Sequence, residues 1–126
     1  MSRGAYLLYI SVINTITIRI GKLGEINFSP GEYIYVGSAF NQKRPSQFLE
    51  NRVIRHLKPP ENKKMHWHID YLLANPNVQI TNVVLIPSNH HDECDLAQQI
   101  KQTAQSEIIH FGCSDCKCSS HLFRAK

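Results

Sequence analysis

The sequence has no apolar run approaching the roughly 20 residues that a membrane-spanning helix needs, so we expect no membrane association. The opening residues, Met-Ser-Arg-Gly-Ala-Tyr, lack the apolar region and cleavage site of a signal peptide, which favours a cytoplasmic protein. Internal repeats, low-complexity segments and long linkers are also lacking. The 126 residues are therefore expected to form a single domain with one core.

Acidic residues are fewer than basic ones, and the formal net charge is +4. Seven of the fourteen Lys and Arg residues fall within 22 positions, opposed there only by Glu50 and Glu61. This basic stretch is typical of a nucleic-acid contact surface and equally of a solvated helix and loop, so both interpretations stay open. The seven residues are Lys43, Arg44, Arg52, Arg55, Lys58, Lys63 and Lys64.

The hydrophobic pattern predicts an α+β domain with a small antiparallel central sheet flanked by helices. Alternating and apolar runs predict strands over residues 4–12, 15–20, 25–28, 31–37 and 79–86. Helical periodicity predicts helices over residues 47–57, near 67–73, and over 92–105. Residues 112–126 are expected to form a tail that contains cysteine and histidine.

The first helix is predicted to bury a stripe of Leu49, Val53 and Leu57, which recur every four residues. At about 100° per residue, Arg52 and His56 lie at the edge of that stripe, close to what the helix packs on. This position suits a polar site at the helix–sheet boundary, although an arginine there also packs its stem over apolar neighbours.

Other polar residues nearby have different expected directions. Arg55 and Lys58 are predicted to point to solvent. Trp67, in the stretch Trp67-His68-Ile69-Asp70, is expected to pack in the core. For His68 and Asp70 two interpretations stay open: these side chains form local hydrogen bonds, or they face a substrate.

Glu93 lies on the apolar face of the predicted third helix. A carboxylate there requires a metal or hydrogen-bond donors, although a first-turn glutamate also favours the helix dipole. A strand tyrosine, Arg52 and Glu93 together suit phosphodiester cleavage. The carboxylate would bind a divalent metal such as Mg²⁺, the arginine would neutralise phosphate charge, and a tyrosine would position or deprotonate the attacking water.

The sequence resembles the GIY-YIG nuclease superfamily. Gly4-Ala5-Tyr6 is similar to its first motif, Tyr35-Val36-Gly37 to its second, the Arg52–His56 segment to the arginine–histidine pattern of its first helix, and Glu93 to its metal-binding glutamate. The resemblance implies a metal-dependent endonuclease that uses Mg²⁺ or Mn²⁺. It places Tyr6, Tyr35, Arg52, His56 and Glu93 in the catalytic site.

Within the superfamily the chain most resembles a compact prokaryotic branch, through Trp67–Leu73 and Ser114–Phe123 among other segments. Members of that branch occur fused to endonuclease III-type DNA repair glycosylases, which implies DNA as the substrate, a role in repair and a repair-protein partner. The expected nucleic-acid contacts are Lys43, Arg44, Arg55, Lys58, Lys63, Lys64 and His68.

Two spacings differ from the superfamily's pattern. The segment between Tyr6 and Tyr35 is unusually long, so extra strand or loop is expected there. The gap from Gly37 to the first helix is also long, which leaves Arg44 as an alternative to Arg52. We favour Arg52, because His56 lies in register with it. The superfamily's late asparagine has no counterpart that we can place.

The tail contains Cys113, Cys116, Cys118 and His121 within nine residues, with Cys94 beside Glu93. Cysteines in a cytoplasmic chain indicate metal ligands or free thiols before disulfides. A structural Zn²⁺ that fixes the tail to the Glu93 helix and a set of free or packed thiols are both consistent with this spacing.

Two further functions remain open beside hydrolysis. One is a nucleic-acid-binding module without catalysis, held by the basic stretch between residues 43 and 64. The other is a protein-interaction domain attached to repair machinery.

Overall fold

The computed structural model of the chain describes residues 3–40, 44, 47–90, 93–113 and 118–125. The predicted nucleic-acid contact Lys43, the candidate metal ligand Cys116, and Asp92, the first residue of the predicted third helix, lie outside them. The elements in chain order are β1 (Gly4–Val12), β2 (Ile16–Arg19), β3 (Glu25–Phe28), β4 (Gly31–Ala39), α1 (Leu49–Leu57), α2 (His68–Leu73), β5 (Val78–Pro87), α3 (Glu93–Thr103), β6 (Ser106–Glu107) and β7 (Leu122–Arg124).

The main sheet has five strands in the order β5-β1-β4-β7-β6, and every pairing in it is antiparallel. The α+β architecture predicted from the sequence is thereby confirmed. Strands β2 and β3 pair only with each other and form a separate hairpin, joined by the short 3-10 turn Gly21–Leu23. The expectation that they belong to the central sheet was wrong.

The sheet separates two apolar clusters because side chains alternate across a strand. Leu8 and Ile10 of β1 are fully buried in the larger cluster, which includes residues of α1, α2 and the hairpin. Leu7 lies on the opposite face, in a smaller cluster with Val36 and with Ala97 of α3. Each fully buried Leu or Ile stabilises the fold by about 1.5–3 kcal/mol, so the larger cluster fixes α1 and α2 against the strands.

Helix α1 buries a different stripe from the predicted one. Leu57 is 56% exposed, whereas His56 is only 2% exposed and takes the third core position after Leu49 and Val53. The reason is geometric: at about 100° per residue, seven residues bring a side chain back to within about 20°, whereas eight overshoot by about 80°. His56 is therefore a core residue with a polar ring, not an edge residue.

The predicted direction of Arg55 was wrong. Arg55 does not point to solvent, because its guanidinium pairs with Asp70, and its side chain is 25% exposed. For Asp70 two interpretations were open, and the structure shows the first: it is completely buried and accepts local hydrogen bonds from the backbone amides of His66 and Trp67. Each residue supplies the other's missing charge partner, a long-range pairing that periodicity does not show.

The C-terminal residues belong to the sheet. Leu122 and Phe123 of β7 are buried, and β7 lies between β4 and β6, with Leu122 opposite Tyr35. Strands β6 and β7 were not predicted from the sequence, since strands of two and three residues show no measurable alternation. None of the helices within the described residues is long and apolar enough to span a bilayer.

Candidate functional site

A cleft of about 1120 Å³ opens on the α1–α2 side of the sheet. Its walls come from the β2–β3 hairpin, the first half of β1, the second half of β4, and α1. The residues just before α2, the first turn of α2, the start of α3, and the segment between β6 and β7 complete them. The described residues that line it are Tyr6, Arg19, Gly21, Lys22, Leu23, Tyr35, Ser38, Arg52, His66, Trp67, His68, Tyr71, Glu93, Gly112 and His121.

Tyr6 enters the cleft across a glycine. In the β1–β4 register Tyr6 lies directly opposite Gly37. A β-carbon on Gly37 would overlap the Cζ, Cε2 and hydroxyl of Tyr6, so the tyrosine ring occupies the space that the glycine leaves. Glycine at this position is therefore a steric requirement for the observed Tyr6 orientation.

The Tyr6 hydroxyl lies 2.6 Å from Nε2 of His56, and the Tyr35 ring stands edge-on to the same imidazole at 6.3 Å between centroids. Burial lowers the pKa of His56 to about 4 and raises the pKa of Tyr6 and of Tyr35 above the usual value. At neutral pH the cluster therefore contains a neutral imidazole and two intact phenols.

The second ring nitrogen of His56, Nδ1, is buried and has no hydrogen-bond partner among the described residues. Because no described donor or acceptor bonds to Nδ1, its surroundings accommodate either neutral tautomer of the imidazole. His56 can therefore accept a proton at Nε2 when Nδ1 carries the other proton.

Arg52 is fixed at the end of β4. Its Nη1 donates to the carbonyl oxygen of Ser38 at 2.8 Å, and its Cζ lies 5.3 Å from the ring centroid of Trp67. Its buried Nε has no hydrogen-bond partner among the described residues. One N–H group of the guanidinium is thus bonded to the backbone of β4, while the positive charge of the side chain lies in the cleft wall.

Arg55 and Asp70 hold the segment that carries Trp67. Two nitrogens of Arg55 donate to the Asp70 carboxylate at 2.8 and 3.1 Å, and the guanidinium stacks on Trp67 at 4.5 Å from the ring centroid. The backbone N–H groups of His66 and Trp67 also donate to Asp70, both at 2.9 Å. Trp67 therefore has two arginines packed against its ring.

Glu93 is the one carboxylate among the described residues that line the cleft. It starts α3, its side chain is 22% exposed, and its Oε1 lies 3.5 Å from Nδ1 of His121. A partly exposed carboxylate oxygen in a cleft of basic side chains is the type of ligand that Mg²⁺ or Mn²⁺ uses.

The predicted nucleic-acid contacts divide into two groups. His68 lines the cleft and accepts a hydrogen bond at Nδ1 from the Gly112 amide, at 2.8 Å. Lys63 instead donates to the carbonyl oxygens at the end of α1, including that of His56 at 3.1 Å. Arg55, which pairs with Asp70, also lies outside the cleft lining. The other described members of this set lie outside the lining and are exposed: Arg44, Lys58 and Lys64.

The contribution of the β2–β3 hairpin was not predicted from the sequence. Arg19 and Lys22 line the cleft, and Trp67 and Tyr71 add aromatic surface. The signal was present in the long segment between Tyr6 and Tyr35, which was expected to contain an insertion and does contain the β2–β3 hairpin.

Comparison with known protein families gives a match over residues 5–126 to a family described as "Domain of unknown function DUF123". The chain belongs to this DUF123 family. Searches among curated proteins and among solved structures returned no match.

Beside the cleft, this DUF123 domain brings together three residues of the kind that bind metals, two cysteines and a histidine. The Sγ atoms of Cys94 and Cys118 and a ring nitrogen of His121 all lie within 4.8 Å of one another. Cys113 does not belong to this group, and its Sγ lies 3.5 Å from the carbonyl oxygen of Phe111. His121 connects the group to the cleft, since its opposite ring nitrogen faces Glu93.

Proposed function

We propose that this DUF123 domain is a metal-dependent endonuclease of the GIY-YIG type that hydrolyses phosphodiester bonds in DNA. The observation that carries the proposal is the convergence of Tyr6, Tyr35, Arg52 and Glu93 on one cleft, although they come from four separate elements. These side chains supply the proton acceptor, the phosphate cation and the metal ligand that such hydrolysis requires.

Glu93 is the residue that would hold the divalent metal. A single carboxylate suffices, because Mg²⁺ keeps several waters and takes further oxygens from substrate phosphates. The bound ion would supply Lewis-acid polarisation of the phosphate and stabilise the leaving oxygen. Three positive side chains in the cleft lining would hold the polyanionic backbone: Arg19, Lys22 and Arg52.

Tyr6 and His56 would move the proton from the attacking water. Water transfers a proton to the Tyr6 oxygen while the phenolic proton passes to Nε2 of His56, over the observed 2.6 Å contact. The water oxygen bonds to phosphorus as the bond to the leaving oxygen breaks. His56 must be neutral to accept the proton, and burial lowers its pKa to about 4, so it is neutral near pH 7.

Arg52 would neutralise the charge that develops on the phosphate. Its hydrogen bond to the Ser38 carbonyl fixes its position before substrate binds, so little reorganisation is needed during the reaction. The Trp67 ring packs against the guanidinium groups of both Arg52 and Arg55, and this contact helps to hold Arg52 in the cleft wall.

The alternative is a nucleic-acid-binding module without catalysis, and one observation favours it. The cleft lining combines basic side chains with the aromatic side chains of Trp67 and Tyr71, which is sufficient for binding a polynucleotide without any chemistry. Such a module would bind with an affinity that falls steeply with salt and does not depend on Glu93.

The test is Mg²⁺- or Mn²⁺-dependent nicking of single-stranded, duplex and branched DNA and of RNA, with Glu93→Gln and Asp95→Asn beside wild type. Asp95 is an exposed acid in the same helical turn and serves as the matched control. We expect Glu93→Gln to lower the nicking rate roughly 100-fold, with Asp95→Asn unchanged. Equal nicking by wild type and Glu93→Gln would identify a contaminant and refute the assignment.

If no variant nicks any substrate, but wild type and Glu93→Gln bind DNA equally in a salt-dependent way, the binding module replaces the nuclease. Absence of binding at low salt would remove both.

A further inference from the structure

The group of Cys94, Cys118 and His121 beside the cleft comes from two segments that are distant in the sequence. Cys94 lies in the first turn of α3, whereas Cys118 and His121 lie in the segment before β7. The Cys118 sulfur is 2.7 Å from the Cys94 sulfur and also 2.7 Å from Nε2 of His121. Two soft sulfurs and an imidazole are the ligand types that zinc prefers.

His121 is held on a rigid frame. It is 2% exposed, its amide donates to the carbonyl oxygen of Phe111 at 2.8 Å, and its carbonyl accepts from the Val36 amide of β4, also at 2.8 Å. Because the backbone on both sides of the ring is tied to the sheet, the imidazole is oriented before any ion binds. Pre-oriented ligands of this kind lower the entropic cost of metal binding.

The donor distances fit one small cation after a minor adjustment. Zinc bonds of about 2.3 Å to sulfur and about 2.0 Å to nitrogen, at tetrahedral angles, separate two sulfurs by about 3.8 Å and sulfur from nitrogen by about 3.6 Å. The Cys118 sulfur would have to move by about 1 Å, which rotation of its side chain supplies. A disulfide is a poorer description, because 2.7 Å exceeds the S–S bond length of about 2.05 Å.

We propose that Cys94, Cys118 and His121 form a Zn²⁺ site that ties the start of α3 to the chain before β7. Zinc would bind the two thiolates and Nε2 of His121, release their protons, and take water or another donor in the fourth position. The site is separate from the proposed Mg²⁺ ligand and does not depend on the nuclease activity.

Zinc on Nε2 would also position Glu93. A metal-bound imidazole carries its proton on the other nitrogen, and that nitrogen, Nδ1, lies 3.5 Å from Oε1 of Glu93. Ligating histidines commonly direct this second N–H at a carboxylate. Glu93 would then be positioned in two ways. Its backbone adjoins the zinc ligand Cys94, and its side chain accepts from His121.

The experiment measures zinc directly. The full chain is expressed without a histidine tag, purified under reducing conditions and analysed for metal by mass spectrometry, and zinc affinity is then measured by chelator competition. We expect about one zinc per chain, and a loss of zinc affinity of at least about ten-fold in Cys94→Ser and in Cys118→Ser. Cys113→Ser is the matched control and should keep its zinc, since its sulfur lies outside the group.

Substitution of Co²⁺ into the wild-type protein keeps the proposal testable if a variant fails to fold. Thiolate-to-cobalt charge-transfer absorption is expected in wild type and in Cys113→Ser. Zinc-free wild type under reducing conditions, or a cobalt spectrum without thiolate bands, would overturn the proposal. Equal loss of zinc from Cys113→Ser and Cys118→Ser would show that the ligand set is wrong. None of these readouts involves DNA cleavage.

Discussion

Replacing Asp70 by asparagine tests the interaction that positions Trp67 and the start of α2. The Asp70 carboxylate is fully buried and accepts four N–H donors: two from the Arg55 guanidinium and one each from the His66 and Trp67 amides. Asparagine keeps the shape but loses the charge, and it places an NH₂ group among groups that only donate. One hydrogen bond becomes a donor–donor clash, and Arg55 keeps an uncompensated charge.

The expected loss of folding stability is large for a substitution that replaces a single oxygen atom. Removing one partner of a buried ion pair costs about 3–5 kcal/mol, and α2 has only six residues, too few to persist without its tertiary contacts. For a domain of this size 1 kcal/mol corresponds to roughly 3–5 °C, so Asp70→Asn should lower Tm by about 10–20 °C. Thermal and urea denaturation followed by circular dichroism would measure it. Asp95→Asn, an exposed first-turn acid of α3, should cost less than about 1 kcal/mol.

The pH dependence of folding stability distinguishes the effect of the lost Asp70 charge from the effect of changed packing. Burial raises the pKa of Asp70, but the hydrogen bonds from Arg55, Trp67 and His66 lower it more, so the folded pKa lies below 3.8. A depressed carboxyl pKa gives stability that is fully present above the unfolded pKa and is lost as pH falls through the folded pKa. The stability difference between wild type and Asp70→Asn should therefore be full at pH 7 and shrink below about pH 4.

Two results would refute this account. A Tm decrease for Asp70→Asn no larger than that for Asp95→Asn would show that the buried pair contributes little net stability. A difference that stays constant from pH 7 down to pH 2 would show that the cost comes from packing, not from the lost charge.

Three further changes have defined outcomes. Gly37→Ala should destabilise the fold by about 1–3 kcal/mol by overpacking and displace the Tyr6 ring, visible as a loss of stability in urea and a changed tyrosine spectrum. Arg19→Ala with Lys22→Ala should weaken DNA binding and reduce the slope of log affinity against log salt by about 2; an unchanged slope would place the hairpin outside the binding surface. The ring of His56 should titrate near pH 4 by NMR, and because its pKa is depressed on folding, its contribution to stability is lost as pH falls from about 6.5 through 4.

The central strands could be predicted from the sequence because their information is local. β1 alternates between two apolar faces, and the tight turns on either side of β3 limit where strands begin. β6 and β7 could not be predicted, since two or three residues carry no period, and β7 exists because β4 offers it an edge. The local residue pattern thus predicts the long strands, whereas the short strands form because a neighbouring strand offers them hydrogen-bonding partners.

The site was predictable to the extent that single residues were out of place in their own element. Glu93 on an apolar helix face is one such residue, and the structure places it in the cleft wall. Arg55 and Asp70 show the limit: nothing in the residue pattern of either helix marks them as partners, and only the approach of α1 to α2 makes them a pair. Interactions across 15 residues of sequence leave no trace in helical periodicity.

The long segment between Tyr6 and Tyr35 contributes to the cleft without altering the pairing of the strands on either side of it. Antiparallel pairing of β1 with β4 sets Tyr6 opposite Gly37, and this register depends on the two strands and not on the length of chain that joins them. The chain between them forms the β2–β3 hairpin, which is not part of the main sheet and so leaves the register unchanged. The hairpin and its turn add Arg19 and Lys22 to the cleft lining that also contains Arg52. The hairpin therefore adds basic surface without disturbing the placement of Tyr6 against Gly37, because the two depend on different strand pairings.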